Sequence, residues 1–150
     1  MAKVVIALGS NLEPRAEYLA RALEGLAAFP ATRLVEASSV EETDPVGVPA
    51  EFADLRFLNQ VALFETDLAP REFSDRMHAL EDALGRVRTV RNGPRTIDID
   101  MIDYEGVVSD DPELLLPHPR AEERDFVRIP WHALLARYAS SKNVTQHPET

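Results

Sequence analysis

Apolar residues in the first part of the chain fall into short runs whose period changes at turn residues. Residues 4–8 form a continuous apolar run that stops at Gly9-Ser10-Asn11. This predicts a buried strand followed by a turn that caps a helix. From Pro14 to Pro30 the apolar residues recur at helical spacing, with one stripe formed by Leu19, Leu23 and Leu26. The spacing predicts an amphipathic helix that ends before Pro30.

The middle of the chain alternates between strand-like and helix-like patterns. Residues 32–40 and 57–66 predict strands, the second from its β-branched and aromatic content. Residues 43–56 carry several turn formers and predict a loop. Helical spacing returns in residues 73–84, and Gly85 follows where a C-terminal cap is expected.

A further strand is predicted over residues 96–102, so the element order is strand, helix, strand, strand, helix, strand. This order predicts the α+β class, as a ferredoxin-like sandwich with a mainly antiparallel sheet and helices packed on it. Residues 126–135 predict a short additional strand and a helix. We expect a single domain over residues 1–138 and a frayed polar tail over residues 139–150.

The charge balance restricts the possible partners. The 150 residues include 16 Lys and Arg against 26 Asp and Glu, which gives a formal net charge of −10. Nonspecific nucleic-acid binding needs surplus positive charge, so we expect no nucleic-acid partner and only a local phosphate site. The absence of cysteine, of a long apolar run and of a signal-peptide pattern indicates a cytoplasmic protein without a membrane partner. Nothing in the sequence requires more than a monomer.

Four arginines stand close together although the chain as a whole is acidic. Arg86, Arg88, Arg91 and Arg95 fall within residues 86–95, a segment that contains no acidic side chain. Guanidinium groups match phosphate oxygens in bidentate geometry and stay charged at any working pH. The block therefore predicts a polyphosphate site, although such clusters more often serve as surface ion-pair partners.

The next segment alternates apolar and acidic residues. In a strand, Ile97, Ile99 and Met101 share one face, whereas Asp98 and Asp100 share the other with their Cα atoms about 6.6 Å apart. Neighbouring carboxylates repel each other, and Mg²⁺ relieves this because it takes hard oxygen ligands together with substrate phosphates. Alone, the pattern is more often the exposed face of an edge strand. Beside the arginines it indicates metal-assisted phosphoryl transfer, without a glycine-rich P-loop.

Three motifs together resemble one enzyme family: Gly85-Arg86-x-Arg88, Asn92-Gly93-Pro94-Arg95-Thr96-Ile97-Asp98-Ile99-Asp100 and Leu116-Pro117-His118-Pro119-Arg120. They are similar to the motifs of 6-hydroxymethyl-7,8-dihydropterin pyrophosphokinase, an enzyme of folate biosynthesis. The similarity runs in order from Gly9-Ser10-Asn11 through Thr43-x-Pro45-x-Gly47 and Phe57-Leu58-Asn59 to Arg124-x-Phe126-Val127. It covers most of residues 3–130.

The resemblance implies transfer of a pyrophosphoryl group from ATP to the hydroxymethyl oxygen of the pterin, with release of AMP. It implies two Mg²⁺ ions on Asp98 and Asp100 and ATP as co-substrate. The catalytic residues it implies are Arg86, Arg88, Arg95, Asp98 and Asp100. On the ATP side it implies Glu81, Arg88, Arg95, His118 and Arg124. Without the resemblance, Glu81 would be a helix-surface charge and His118 a turn residue between two prolines.

The pterin ring is flat and aromatic with polar edges, so it requires ring faces on both sides and amide-type groups at its edge. The resemblance assigns this pocket to Thr43, Pro45, Val46, Phe57, Asn59 and Phe126. The two phenylalanines would sandwich the ring, and Asn59 would bind its edge. By themselves both phenylalanines would be ordinary core residues. An amide within an apolar strand, by contrast, costs about 1–3 kcal/mol if it lacks a partner.

Two other functions are compatible with the residues alone. A ferredoxin-like regulatory module would bind a small ligand without chemistry and without magnesium. A metal-dependent phosphohydrolase built on the same carboxylates would release phosphate from ATP without an acceptor. The acceptor requirement distinguishes these functions. The family pattern is not followed at Ile129-Pro130-Trp131-His132, which leaves the contacts to adenosine open.

Overall fold

The computed structural model describes residues 1–44, 56–85 and 96–146, with side chains as far as residue 141. Seven strands, three α-helices and one 3₁₀ turn make up this part of the chain. In chain order they are β1 (Ala2–Ser10), α1 (Arg15–Ala27), β2 (Thr32–Ala37), β3 (Glu41–Thr43), β4 (Phe57–Thr66), α2 (Pro70–Ala83), β5 (Asp98–Tyr104), β6 (Ser109–Asp111), β7 (Leu114–Leu116), the 3₁₀ turn (Ala121–Glu123) and α3 (Asp125–Gln146).

The main sheet has the strand order β2-β4-β1-β5, and the short strand β3 pairs with the end of β4. Every pairing described in this sheet is antiparallel. Helices α1 and α2 cover one face of the sheet, and α3 with the 3₁₀ turn covers part of the other. The predicted α+β class, a ferredoxin-like sandwich with a mainly antiparallel sheet, is therefore confirmed.

The two helices of the first layer form because their apolar residues fall on one stripe. In α1 the buried residues are Leu19, Ala22 and Leu26. In α2, Pro70 lies in the first turn, where the backbone N–H that proline lacks would have no partner within the helix. The buried stripe begins at Phe73. Gly85 follows α2 with a φ of +85°, a conformation that glycine adopts without strain. The predicted C-terminal cap is thus confirmed.

The structure differs from the sequence-based prediction in several places. Strand β2 ends at residue 37, not at residue 40, and the hairpin of β6 and β7 is not predicted by the sequence. Strand β3 lies at residues 41–43, where a loop was expected to begin, because it pairs with β4. Strand β5 begins at residue 98, not at residue 96. Helix α3 starts directly at residue 125 without a preceding strand and continues to residue 146, beyond residue 139, where a frayed tail is predicted. In the part of the chain that the structure describes, no helix has both the length and the apolar character to cross a bilayer.

A hydrogen bond of Tyr138 connects helix α3 to the sheet. Its hydroxyl donates a hydrogen bond of 2.5 Å to the carboxylate of Glu65 on β4, which is only 7% exposed and also pairs with Arg33. The Lys3 ammonium lies 4.9 Å from the centroid of the Tyr138 ring. The hydrogen bond to Glu65, together with burial, raises the pKa of Tyr138 to about 12.

We expect Tyr138→Phe to lower the free energy of unfolding by about 1–3 kcal/mol, because it removes the donor to a buried charged acceptor. The pKa in the folded state lies above the ordinary value of 10.0, so this contribution is complete below that pH and is lost as the pH rises toward about 12. Urea unfolding at about pH 8 and about pH 11 measures it, and the difference between the two proteins should shrink at the higher pH.

The matched control for this change is Tyr18→Phe. Among the described residues, the Tyr18 hydroxyl forms no hydrogen bond, so its removal should change stability little. Equal losses from the two substitutions would contradict the role assigned to the Tyr138 hydroxyl.

Candidate active site

A cavity of about 440 Å³ opens on the sheet face that carries α3. Its walls come from β1, β3, β4, β5, the 3₁₀ turn and the beginning of α3. Many of the predicted site residues line it: Thr43, Phe57, Asn59, Asp98, Asp100, His118, Arg124 and Phe126. Side chains that are distant in sequence, and that the resemblance assigned to two different substrates, therefore meet in one cavity.

The floor of the cavity is formed by small residues of the central strand β1. Gly9 pairs across the sheet with Asn59 on one side and Asp98 on the other, and directly paired residues share a face. A Cβ atom at position 9 would lie 3.3 Å from the Asn59 side-chain oxygen and 3.5 Å from the Phe57 ring. Glycine at this position therefore leaves room between the side chains of β4 on one side and those of β5 on the other. Ala7, one pleat further along β1, also lines the cavity.

Gly9 and Ala7 were not predicted as site residues, although Gly9 belongs to the Gly9-Ser10-Asn11 motif. The available signal was a small residue at every second position near the end of a buried strand. Alternation in β1 then places positions 7 and 9 on one face. The register of β1 with β4 and β5 decides which side chains lie beside this face. That register depends on pairing between residues that are distant in sequence.

The carboxylates of Asp98 and Asp100 lie on one wall of the cavity. Both are half-buried and both line it, while Ile97, Ile99 and Met101 are buried in the core on the opposite face. The alternation predicted for this segment is therefore confirmed. Two carboxylates on one partly desolvated wall form a donor set of hard oxygens that suits a divalent cation.

Glu81 is buried, although a charge on a helix is usually exposed. It is 1% exposed and lies on the sheet face that α1 and α2 cover. There its carboxylate accepts a hydrogen bond of 2.7 Å from the backbone N–H of Ile99. Among the described strands β5 is at the edge of the main sheet, where a backbone N–H that points away from β1 has no neighbouring strand of that sheet to bond to. Glu81 is thus not a helix-surface charge. It is not among the described residues that line the cavity, and its contact to ATP stays a prediction. It supports the strand that carries Asp98 and Asp100.

The opposite wall presents an amide and two aromatic rings. Asn59 is 8% exposed, and its amide nitrogen donates a hydrogen bond of 2.6 Å to the Thr43 hydroxyl. Phe57 and Phe126 are half-buried and line the cavity from β4 and from the start of α3. Phe57 is therefore not one of the fully buried core residues, in contrast to Phe64 on the same strand. The wall has the mixed apolar and amide character that a flat heteroaromatic ring requires.

Two nitrogen-bearing side chains complete the cavity near the carboxylates. The His118 ring accepts a hydrogen bond at Nδ1 from the backbone N–H of Arg120, 3.2 Å away. Burial lowers the pKa of His118, and the nearby Arg124 lowers it further, whereas Asp98 opposes the shift. The ring is thus held neutral near pH 7, with the proton on Nε2. Within the described residues, the Arg124 guanidinium forms no ion pair with a carboxylate.

Acidic residues at the rim were not predicted. Asp44, Glu123 and Asp125 also line the cavity. They make its entrance more negative, so an anionic substrate needs compensating positive charge. The predicted arginines at positions 86, 88 and 95 lie outside the described residues, as do Pro45 and Val46.

A carboxylate pair and an aromatic pocket, facing each other on one side of a ferredoxin-like sheet, define an α+β protein whose site suits a divalent cation beside a flat ring. Comparison with known proteins gives the family. The chain belongs to the 7,8-dihydro-6-hydroxymethylpterin-pyrophosphokinase (HPPK) family, whose sequence profile matches residues 5–136. The predicted resemblance is confirmed, and with it the prediction of an ATP-dependent diphosphokinase.

Individual relatives agree with this assignment. A 2-amino-4-hydroxy-6-hydroxymethyldihydropteridine pyrophosphokinase from Pseudomonas aeruginosa is 41% identical over 128 residues, which cover 85% of this chain and 77% of the relative. The protein of the same name from Methylorubrum extorquens is 42% identical over 130 residues, covering 87% of this chain and 80% of the relative.

A solved structure shares the fold. The crystal structure of an HPPK-DHPS in complex with substrates matches 89% of this chain with a TM-score of 0.65 at 10% sequence identity. This chain spans 40% of the length of that one. At such low identity the match supports the fold alone.

Proposed function

We propose that this chain transfers a pyrophosphoryl group from ATP to 6-hydroxymethyl-7,8-dihydropterin, giving AMP and the pterin diphosphate, as a step of folate biosynthesis. Membership of the HPPK family supports this activity. The observation that carries the assignment of residues is one cavity with Asp98 and Asp100 on one wall and Asn59 with two phenylalanines on the other.

The pterin is proposed to bind between Phe57 and Phe126, with its polar edge toward Asn59 and Thr43. The two phenylalanine rings would cover the faces of the pterin. The Asn59 amide would form hydrogen bonds with the polar edge groups that lose their contact with water. Pro45 and Val46 are proposed to continue this edge contact through their backbone groups. The hydroxymethyl group would then point across Gly9 toward β5, because the ring occupies the opposite wall.

ATP is proposed to lie on the β5 side of the cavity. The neutral His118 offers an Nε2–H donor, and Arg124 offers a cation for a phosphate. Arg86, Arg88 and Arg95 are proposed to neutralise the charge that moves toward the bridging oxygen during transfer, and so to offset the acidic rim. Glu81 contributes indirectly, by holding β5.

Asp98 and Asp100 are proposed to hold two Mg²⁺ ions. Their paired carboxylates fit a hard cation, yet no group of three or more His, Cys, Asp or Glu side chains in the described ranges could hold a metal by itself. Magnesium keeps several non-protein ligands and is usually shared with substrate phosphates, so we expect the ions to bind together with ATP. When bound, they would supply neutralisation of charge on the phosphates.

The reaction proposed is an in-line displacement. The pterin hydroxyl oxygen bonds to the β-phosphorus, the bond from that phosphorus to the oxygen bridging the α-phosphate breaks, and AMP leaves with that oxygen. The hydroxyl proton passes to solvent or to a phosphate oxygen. No protein nucleophile is required, because positioning and charge stabilisation carry this chemistry.

The acceptor requirement tests the proposed function. Purified protein with ATP and Mg²⁺ should form AMP only when hydroxymethyldihydropterin is added, with one pterin diphosphate for each AMP; chromatography of the nucleotides and pterins measures both. Omission of Mg²⁺ should abolish formation of both products. Release of inorganic phosphate without the pterin would favour the phosphohydrolase instead, and binding without turnover would favour the regulatory module.

We also propose a monomer in the cytoplasm that has no nucleic-acid or membrane partner. The net charge of −10 supports the absence of a nonspecific nucleic-acid interaction. Light scattering at working concentration tests the oligomeric state, and a mass of twice 16.7 kDa would contradict the proposal.

A further inference from the structure

The Arg15 side chain connects three parts of the chain beside the cavity. It stands at the first position of α1 and is only 19% exposed. Its Nη1 donates hydrogen bonds of 2.9 Å to the Glu42 carboxylate on β3 and of 2.9 Å to the backbone carbonyl of Arg56. Its Nε lies 3.4 Å from a Glu13 carboxylate oxygen.

These contacts fall on both sides of residues 45–55. Glu42 and Asp44 precede that segment, and Arg56 follows it and leads into β4. Arg56 itself reaches back, with its guanidinium 3.2 Å from the Asp44 carboxylate and 3.6 Å from that of Glu42. Arg15 and Arg56 therefore hold the end of β3 and the beginning of β4 together.

The residues held in this way include part of the aromatic wall. Thr43 lies between Glu42 and Asp44, and it pairs in register with Phe57, the residue after Arg56. The Thr43 hydroxyl accepts the hydrogen bond from Asn59. A strand of three residues has few backbone hydrogen bonds to fix its position. The Arg15 contacts supply an additional connection from outside the sheet.

We infer that Arg15 is a positioning residue for the acceptor substrate: it holds β3 against β4, so that Thr43, Asn59 and Phe57 are in place before the pterin binds. The inference rests on the proposed function, which assigns this wall to the pterin. Arg15 does not line the cavity, so its effect on the substrate is indirect. A guanidinium suits this task because its planar fork can donate to several acceptors at once, which an ammonium does less well.

The ion pairs involved contribute little to global stability. Glu42 and Arg56 have side chains that are 43% and 60% exposed, and exposed ion pairs are screened by solvent. Their loss should therefore shift the midpoint of urea unfolding only slightly, whereas the KM for the pterin should rise. This separates a positioning role from a merely structural one.

Steady-state kinetics of Arg15→Met test the inference. We expect the KM for hydroxymethyldihydropterin to rise about three- to tenfold, the amount that loss of a small ion-pair network corresponds to. The kcat, the KM for ATP and the midpoint of urea unfolding should stay near the wild-type values. Arg15→Lys should give an intermediate KM for the pterin, because it keeps the charge but not the fork.

The matched control is Arg21→Met on the same helix, since Arg21 pairs only with Glu17 one turn earlier among the described residues. It should leave every kinetic constant unchanged. Glu42→Gln should raise the KM for the pterin, and adding it to Arg15→Met should raise that KM less than the product of the two single effects. An unchanged KM for the pterin in Arg15→Met, or equal rises for pterin and ATP, would overturn the inference. If the wild-type protein makes no AMP from the pterin, the proposed function fails instead.

Discussion

Asp98→Asn and Asp100→Asn should each reduce the rate of AMP formation by roughly a hundred- to a thousandfold, because several kcal/mol of charge stabilisation are lost with a metal-binding carboxylate. The amide has nearly the shape of the carboxylate, so the strand and the core beneath it should stay intact. Initial rates at saturating ATP and pterin, over a range of Mg²⁺ concentrations, measure the loss. Raising the Mg²⁺ concentration should recover part of the rate.

Asp103→Asn provides the control on the same strand. Asp103 is half-buried, and burial raises the pKa of its carboxyl group, but it does not line the cavity. Its substitution should leave the rate and the Mg²⁺ dependence near those of the wild type. If folded Asp98→Asn turns over at nearly the wild-type rate, the metal assignment is wrong, although the proposed reaction itself could still hold.

Substitution of Glu81 should reduce both stability and activity, although this residue does not reach the cavity. Glu81→Leu removes the acceptor for the Ile99 N–H and should cost about 1–3 kcal/mol of unfolding free energy. Strand β5 then loses its edge contact, so we expect the Mg²⁺ concentration for half-maximal rate to rise. Glu81→Gln keeps an acceptor oxygen and should retain more of both properties. Urea unfolding and Mg²⁺ titrations of the rate measure these effects.

Met77→Ala distinguishes this positioning role from general destabilisation. Met77 is buried one turn earlier on α2, and its truncation should cost about 2–5 kcal/mol. It should nevertheless leave the Mg²⁺ dependence unchanged in the folded protein. A direct ATP contact of Glu81 predicts a different result, namely a higher KM for ATP in Glu81→Gln with unchanged stability. That result would contradict the positioning role.

The carboxylate pair could be predicted from the sequence because its geometry is local. Alternation alone places Asp98 and Asp100 on one face of a strand, whatever the strand packs against. Glu81 shows the limit of such reasoning. It follows Met77 at i+4 on the buried stripe of α2, so the helical period was consistent with burial, but its charge argued for the surface. The hydrogen bond from the Ile99 N–H on β5, which the helical period does not reveal, gives the buried carboxylate a partner.

The register between strands was equally beyond the sequence. Asn59 and Asp98 face each other across Gly9 because β4 and β5 pair with β1 at particular positions. A shift by one residue would turn either side chain to the other face. The same holds for Arg15, whose partners Glu42 and Arg56 are distant in sequence and meet only after β3 has paired with β4.

The sequence by itself determined the order of the longer helices and strands, without β3, β6 and β7, the faces on which their apolar residues lie and, through its motifs, the enzyme family. These follow from periodicity and from residue types within short segments. The tertiary structure decided which faces meet: the floor at Gly9, the burial of Glu81, the contacts of Arg15 and the unbroken helix from residue 125 to residue 146. These depend on long-range pairing and on the burial that packing produces, which no local pattern specifies.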